Sequence, residues 1–310
     1  MTTRVPKVSI ILTTYNRAYI LPKAIKSVLE QTYKDFELVV VDDGSIDNTK
    51  EVVESFGDER VRYVRHDVNK GLAVSRNTGL RAARGVFFAF QDSDDEWTSQ
   101  KLEEQVPVLE QASTHVGVVY TRLEKTMRDA STVLVPALNF HPTSGNLYQK
   151  LLEGNFITMQ VALVRRECID RIGYFDEALN WLEDWDFWLR IAREYEFIFI
   201  SMVGVRAVVM GDSLTSNQGR RLEARRKTFD KHREEFLLFP SVYARQNYRL
   251  GHAYALRHMD GDARQYLWDA MRAQPWNIKY IGAYVLVRLP KGWYRAVASV
   301  FGRGKQAMHS

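Results

Sequence analysis

One cysteine, Cys168, is the whole thiol content of the chain. A lone thiol excludes an internal disulfide and a zinc site built from cysteines, and it suits a reducing compartment. Long apolar runs are also missing: none approaches the roughly 18–20 residues that a bilayer span needs. The opening stretch, Met1 to Lys7, is short and polar, unlike a secretory leader. These absences predict a soluble or peripheral, cytoplasmic protein. Glycine is missing from Thr13-Thr14-Tyr15-Asn16-Arg17, the turn after the first apolar run, so that turn is no glycine-rich phosphate loop. The seven histidines sit in no nucleophile-elbow context, and Ser/His/Asp catalysis finds little support.

Acids are scarce at one end. Residues 219–310 hold 18 Lys and Arg against 7 Asp and Glu, whereas residues 1–218 hold 25 against 31. The C-terminal stretch is therefore a separate basic object, of the kind that meets an anionic surface or polymer. No nucleic-acid motif accompanies it, so no nucleic-acid partner is expected. What remains is an ordinary globular composition, 45% hydrophobic and 26% charged over 310 residues, enough for one large domain and an appendage.

The apolar runs that are present are of strand length. Val8–Thr14, Phe36–Val41, Val61–Arg65 and Val86–Phe90 are rich in β-branched and aromatic residues, and helical patterns separate them. Those helices carry Leu21, Ile25 and Val28, then Val52, Val53 and Phe56 behind an Asp47 cap, then Ala73–Arg84. Alternation of this kind predicts an α/β fold with a doubly wound, mostly parallel central sheet. In such sheets ligands gather at the carboxyl ends of strands. Three polar clusters fall there: Thr13–Arg17, Asp42–Ser45 and Asp92-Ser93-Asp94-Asp95. Four acids in five positions, Asp92 to Glu96, repel one another unless a cation or solvent shares the charge, and Mg2+ or Mn2+ suits oxygen ligands beside a phosphate. A solvated turn or a cap for the helix beginning near Thr98 is the structural alternative.

Further along, a helix with Leu102, Val106 and Leu109 leads to a strand at Val116–Tyr120, and residues 122–145 read as irregular. Thr158–Val164 reads as a strand. Trp181–Ala192 reads as a helix with aromatic residues around Glu183-Asp184. Phe197–Ser201 and Val203–Met210 read as two further strands, followed by the polar loop Gly211–Asn217.

In order and interval, several motifs resemble family 2 glycosyltransferases over roughly residues 5–215. They are Val8–Arg17, Asp42-Asp43-Gly44-Ser45, Asn69-Lys70-Gly71-Leu72 with Arg76-Asn77, Asp92-Ser93-Asp94-Asp95 and Glu183-Asp184. The resemblance implies a GT-A fold, a Rossmann-like nucleotide-binding sheet, a nucleotide-diphosphate sugar donor, Mn2+ or Mg2+, and inversion at the anomeric carbon. It divides the chain into a catalytic domain at 1–218, with a donor half about 1–97 and an acceptor half about 98–218, and a basic helical region at 219–310. Thr13, Tyr15, Arg17, Asp43, Arg76, Asp92 and Ser93 fall at donor-binding positions, and Asp94 with Asp92 at the metal, with Asp95 as a helper. A tyrosine stacking on a pyrimidine beside a carboxylate that accepts from N3–H favours uracil or thymine. Asp184 falls at the base position, with Glu183, Trp181 and Trp185 at the acceptor. Apolar surroundings there would raise a carboxyl pKa towards neutrality. The tryptophans have a plainer alternative as core, and Asp186, two residues on, reads as structural. Arg220-Arg221 fall where the family closes a flexible segment over the diphosphate.

The Gln-x-x-Arg-Trp motif of processive members is absent, so transfer of one sugar to a hydroxyl of a glycan or lipid-linked acceptor is expected. A sugar-nucleotide pyrophosphorylase is the enzyme alternative, and a non-catalytic interaction protein using the helical tail is the other. Within that tail, Leu250–Tyr254, Gly261–Ala263, Tyr266-Leu267, Ala270 and Pro275–Asn277 resemble one tetratricopeptide-like hairpin. Lys279 to Phe301 mixes aromatic, basic and apolar residues as a helix in a membrane interface does, which makes an anionic membrane surface a partner for 219–310. An ordinary surface helix is the alternative.

Overall fold

All seven residues of Val8–Thr14 (β1) and all seven of Phe36–Asp42 (β2) are buried, as strands covered on both faces must be. In the computed structural model, which describes residues 5–137, 144–179, 181–208, 218–290 and 293–296, they begin a regular alternation. Leu21–Leu29 (α1) links them. Thr49–Glu54 (α2), Val61–Arg65 (β3), Leu72–Ala82 (α3) and Phe87–Asp92 (β4) follow. These four strands are parallel and lie in the order β3-β2-β1-β4. The register sets Thr13 of β1 beside Val41 of β2 on one side and Asp92 of β4 on the other. One edge of the sheet therefore collects the ends of three strands. Two glycines let the layers close. A Cβ on Gly79 would lie 2.4 Å from Ile11 Cγ2, so α3 sits tightly on β1. Gly44, at φ +81°, would meet the Val68 backbone at 2.7 Å.

The sheet continues as β3-β2-β1-β4-β8-β6-β9-β5, with β7 pairing on β6. The added strands are Asp95–Trp97 (β5), Val116–Thr126 (β6), Thr132–Val135 (β7), Ala162–Arg165 (β8) and Glu196–Val208 (β9). Helices Lys101–Gln111 (α4), Tyr148–Glu153 (α5), Arg166–Ile172 (α6) and Glu183–Glu194 (α7) lie between them. Here the sheet is mixed: β8 is antiparallel to β4 and β6, and β5 to β9.

Several local expectations are corrected. Residues 122–126 prolong β6 and 132–135 return as β7, a hairpin buried at Arg122 and Leu123 and half-buried or exposed beyond them, without a regular apolar alternation. Met159–Val161 form a turn of 3-10 helix before β8. Phe197–Val208 belongs to one bulged strand, not two. The helix after the acidic cluster starts at Lys101 behind Gln100, so the acids do not cap it. Asn48 directly precedes α2, but the capping contact comes from Asp47, whose Oδ1 accepts from the Thr49 N–H (3.2 Å) and hydroxyl (2.5 Å). Gly211–Asn217 lies outside the described residues.

By contact density the chain forms two compact units, Met1–Ser216 and Asn217–Ser310. The second is helical: Gln218–Lys231 (α8), Arg233–Leu237 (α9), Pro240–Ala255 (α10), Asp260–Ala273 (α11) and Ile278–Arg288 (α12). The tetratricopeptide-like pattern spans α10 and α11, where Tyr254 stacks on Tyr266 with ring centroids 5.6 Å apart. Ala244, Ala270 and Tyr280 form a small core joining α10, α11 and α12. No helix among the described residues is long and apolar enough to cross a membrane.

Candidate active site

At the end of β1 the chain turns at Asn16, whose φ of 51° is in the left-handed region that asparagine tolerates. Its N–H donates to Ser45 Oγ (2.8 Å) and its Oδ1 accepts from the Ile46 N–H (2.8 Å). Asp47 Oδ2 accepts from the Ala18 N–H (3.0 Å). The loops after β1 and β2 are thereby locked together, leaving the Tyr15 ring 45% exposed above them. Asn16 and Asp47 do positioning work that the sequence reading did not assign them.

Asp43 is buried, and both its oxygens are engaged. Oδ1 accepts from the Lys70 N–H (2.9 Å) and lies 2.7 Å from His66 Nδ1, while Oδ2 accepts from the Gly71 N–H (2.8 Å). With Nδ1 donating, His66 Nε2 accepts from the Thr78 hydroxyl at 2.9 Å. Asp43 thus moulds the 69–71 turn, and the local turn with Ser45 is made by Asp42 instead, which accepts from the Ser45 N–H at 2.8 Å. His66 was invisible in the sequence because no spacing rule links it to Asp43.

The acidic cluster separates by position. Asp92 ends β4 and Asp94 lies in the following turn, with side chains 31% and 27% exposed. Ser93 is buried, as is Thr13 alongside on β1. Asp95 is turned inward: it opens β5, pairs with Ala207 and accepts from Gln160 Nε2 at 2.6 Å. Burial first, and then the charges of Asp92 and Asp94, push its carboxyl well up. Its assignment as a helper at the metal is therefore corrected to a buried structural acid.

Each of the two outward acids has an arginine. Arg17 Nη1 lies 2.5 Å from Asp94 Oδ2. Arg76, in the second turn of α3 and buried, donates from Nη2 to Asp92 Oδ1 (3.2 Å) and from Nη1 to Glu183 Oε1 (2.6 Å). Its guanidinium also lies 5.6 Å from the Phe175 ring centroid. Burying a guanidinium is costly unless carboxylates compensate it, and here two do. Burial and the Asp94 charge still raise the Asp92 carboxyl, against the opposing pull of Arg76.

Asn77, the next residue on α3, exchanges two hydrogen bonds with the Phe175 backbone, at 2.9 and 3.0 Å. Phe175 stacks on Phe187 of α7 at 4.2 Å. Through Arg76 and Asn77, α3 brings the start of α7 to the sheet edge. Leu182, just before α7, is held at φ 59°, an expensive conformation for a leucine, and its carbonyl accepts from the Trp185 and Asp186 N–H groups. The turn presents Glu183 and Asp184 side by side. Glu183 is buried against Arg76. Asp184, half-buried, accepts from the Trp185 N–H and from Asn155 Nδ2, both at 2.8 Å. Burial first, then the Glu183 charge, push its carboxyl up to about 7, while Arg76 restrains it.

Trp185 is corrected: only 1% exposed, it donates from Nε1 to the Leu151 carbonyl (2.7 Å) and is core, not a sugar platform. Trp188 is likewise internal. Trp181 alone of the three is half-exposed beside the acids. Asp186 is fully buried and pairs with Arg190 one turn on at 2.9 Å, so it is structural.

The resulting edge holds a carboxyl pushed up to about 7, Asp184, and two partly exposed acids, Asp92 and Asp94, of which Asp92 is disfavoured in its charged form by burial and by the Asp94 charge. Such a pair is relieved by a divalent cation that also takes phosphate oxygens, so Asp92 and Asp94 fit a hard metal. Asp184 fits a proton acceptor.

The chain is similar to the Escherichia coli UDP-Glc:alpha-D-GlcNAc-diphosphoundecaprenol beta-1,3-glucosyltransferase WfgD, at 46% identity over 102 residues, 33% of this chain and 40% of that protein. The chain thus matches less than half of that relative's length. Its fold is similar to Staphylococcus aureus TarS 1–349 solved with UDP-GlcNAc, with a TM-score of 0.71, 21% identity and coverage of 96% of this chain and 92% of that one. It is also similar to the mannosyltransferase PcManGT of Pyrobaculum calidifontis, solved with GDP-Man and Mn2+, with a TM-score of 0.60, 23% identity and coverage of 96% and 84%. The α/β sheet with its helical C-terminal region is therefore the GT-A arrangement. The profile of Glycosyl transferase family 2 matches residues 9–173, more than half of the chain, and the protein belongs to that family of glycosyltransferases.

Proposed function

We propose that residues 1–218 transfer a single sugar from a nucleotide-diphosphate sugar, uridine or thymidine diphosphate in type, to a hydroxyl of a glycan or lipid-linked acceptor, with inversion. The observation that carries this reading is the buried Arg76, which ties Asp92 to Glu183 and so brings the neighbouring Asp184, its carboxyl pushed up to about 7, to the same edge. Asp184 takes the proton of the acceptor hydroxyl, whose oxygen attacks the anomeric carbon as the nucleoside diphosphate leaves. Glu183, neutralised by Arg76, keeps Asp184 from meeting that guanidinium directly. Trp181 offers an apolar surface to the acceptor. Asp94 and Asp92 would hold Mn2+ or Mg2+, which supplies positive charge for the departing diphosphate. Tyr15 stacks on the base, and Thr13, Arg17 and Ser93 line the donor side. Because Asp43 already accepts three times, it has room for only one further donor, which suits a single pyrimidine N–H.

The relative whose name specifies UDP-Glc and a lipid diphosphate supports a uridine donor and a lipid-linked acceptor, and a fold neighbour's UDP-GlcNAc complex supports the uridine donor. An enzyme with such an acceptor works at a membrane, and we place residues 219–310 against its anionic surface. Thermal-shift measurements with UDP, GDP, dTDP and CMP, each with and without Mn2+, test the donor site. Stabilisation by UDP or dTDP that grows with Mn2+ is expected. Stabilisation by none of the four sinks the donor reading.

A further inference from the structure

Helix α12 is apolar on two opposite sides. Tyr280, Ala283 and Val287 are buried on one side, and Tyr280 joins the small core with Ala244 and Ala270. Ile278 and Val285, with Leu289 just past the helix end, are spaced by seven and four residues and so line up along the other side. Ile278 is 84% exposed, and Trp276, immediately before the helix, is 92% exposed. Trp293 stands out past the far end, its neighbour Tyr294 anchored by its hydroxyl 2.8 Å from His252 Nδ1. A stripe of this length with a tryptophan at each end is more than the scattered apolar exposure of an ordinary surface.

The charge around the stripe says what covers it. Lys279 and Arg288 lie on either flank of the line by helical angle. From Ala270 to Ser310 the sequence holds seven Lys and Arg and not one Asp or Glu. A second copy of the chain docking through this face would bring like charge against like, and the 270–310 segment itself has no acid to relieve it. A lipid surface of negative headgroups relieves it completely, and its interface is where tryptophan and basic residues settle around an apolar strip.

We propose that α12 lies in the plane of an anionic membrane, with Ile278, Val285 and Leu289 in the headgroup boundary and Trp276 and Trp293 as end anchors. This deepens the peripheral placement of residues 219–310 proposed above, and it does not depend on the identity of the sugar donor.

The test is flotation of the full-length chain with vesicles of phosphatidylglycerol and phosphatidylcholine, against vesicles of phosphatidylcholine alone. The chain is expected to float with the first and remain behind with the second, and to be released by added salt. Ile278→Glu with Val285→Glu should lower the partition by at least about tenfold. Trp276→Ala, in a fully exposed position that cannot disturb packing, should lower it about threefold. Wild-type protein that stays behind with anionic vesicles overturns the proposal, and so does equal flotation of wild type and both variants. A concentration-dependent dimer that Val285→Glu dissolves would also overturn it, by assigning the face to a second copy. Thermal shifts with UDP and Mn2+ on the same preparations keep the two readings apart. Vesicle binding without nucleotide stabilisation leaves this proposal standing and the donor site refuted.

Discussion

The two acidic pairs of the candidate site are built differently, although each is two carboxylates at the end of an element. Asp92 and Asp94 meet different arginines, Arg76 and Arg17, and remain nearly a third exposed. Glu183 and Asp184 share a single arginine unequally: Arg76 donates to Glu183, and Asp184 is left with an N–H and an amide. The first pair is left as two accessible carboxylates that a cation can reach. The second divides into a paired anion and a titratable group. The difference teaches that chemistry at this edge is assigned by counter-ions, not by the acids themselves.

Removing the titratable member should have the largest effect. Asp184→Asn is expected to lower kcat by about 10³–10⁴-fold with donor binding intact, the upper range for loss of a general base. In the wild type, kcat/KM should rise with pH to a plateau above about 7, as Asp184 loses its proton. Stability should run the other way. The folded protein holds the Asp184 proton more tightly than the unfolded chain does, so this carboxyl favours folding below its ordinary 3.8. That contribution is lost as pH rises through about 7. Melting curves of wild type and Asp184→Asn across this window should diverge, with the variant gaining relative stability at the alkaline end. Parallel curves would mean that Asp184 titrates normally.

Next in size is the arginine that both pairs touch. Arg76→Met leaves Glu183 buried without its charge partner, and breaking a buried pair from one side costs about 3–5 kcal/mol. Adding Glu183→Gln should restore part of the loss, which chemical denaturation of the single and double variants would measure as a coupling energy. The surviving activity of Arg76→Met should have its acidic limb moved to higher pH, because the positive charge that restrains Asp184 is gone. A coupling energy near zero would refute the bridge.

The donor-side pair should answer to metal. Asp94→Asn is expected to weaken Mn2+ binding by about 100-fold or more, at least the loss seen on changing outer partners of a metal ligand. Asp95→Asn, one residue on, should leave the Mn2+ response unchanged, since that side chain is committed to Gln160. Isothermal titration with Mn2+ in the presence of UDP separates the two. Equal losses would return Asp95 to the metal.

Much of this layout was legible beforehand, and the misses share a cause. The strands β1, β2 and β4 are mostly apolar runs ending in polar turns, because burial on both faces leaves little room for polar residues until the chain emerges. The acids at those ends stand out for the same reason. What the sequence hides is direction. Asp94 and Asp95 are adjacent and chemically identical, yet β5 pairing turns one outward and the other in. Trp181 and Trp185 lie four residues apart, and only tertiary packing puts Trp185 under Leu151. Arg76 and Asn77 resemble a solvated helix turn until residues a hundred positions away supply their partners. The exposed rim of β6 and β7 has no apolar alternation and reads as loop.

The two arginines make the last and smallest contrast. Arg76 is buried between two fixed carboxylates, whereas Arg17 is held against Asp94 where both side chains remain partly in solvent. An ion pair in that setting contributes only about 0.2–1 kcal/mol, little enough for a divalent cation to displace it. If Asp94 holds metal as proposed, Arg17 would give up Asp94 when metal and diphosphate bind and would pair with a phosphate oxygen instead. Arg17→Ala should change the melting temperature by no more than a degree or two, given how little such a pair contributes. Without nucleotide it should tighten Mn2+ binding by about twofold to fivefold, the equivalent of the pair it removes. With nucleotide the sign should reverse, because a phosphate contact is then lost. Mn2+ titrations of both proteins, with and without UDP, distinguish this exchange from a fixed role. An Arg17→Ala variant that binds Mn2+ more weakly in both conditions would show that Arg17, like Arg76, holds its carboxylate in place and never leaves it.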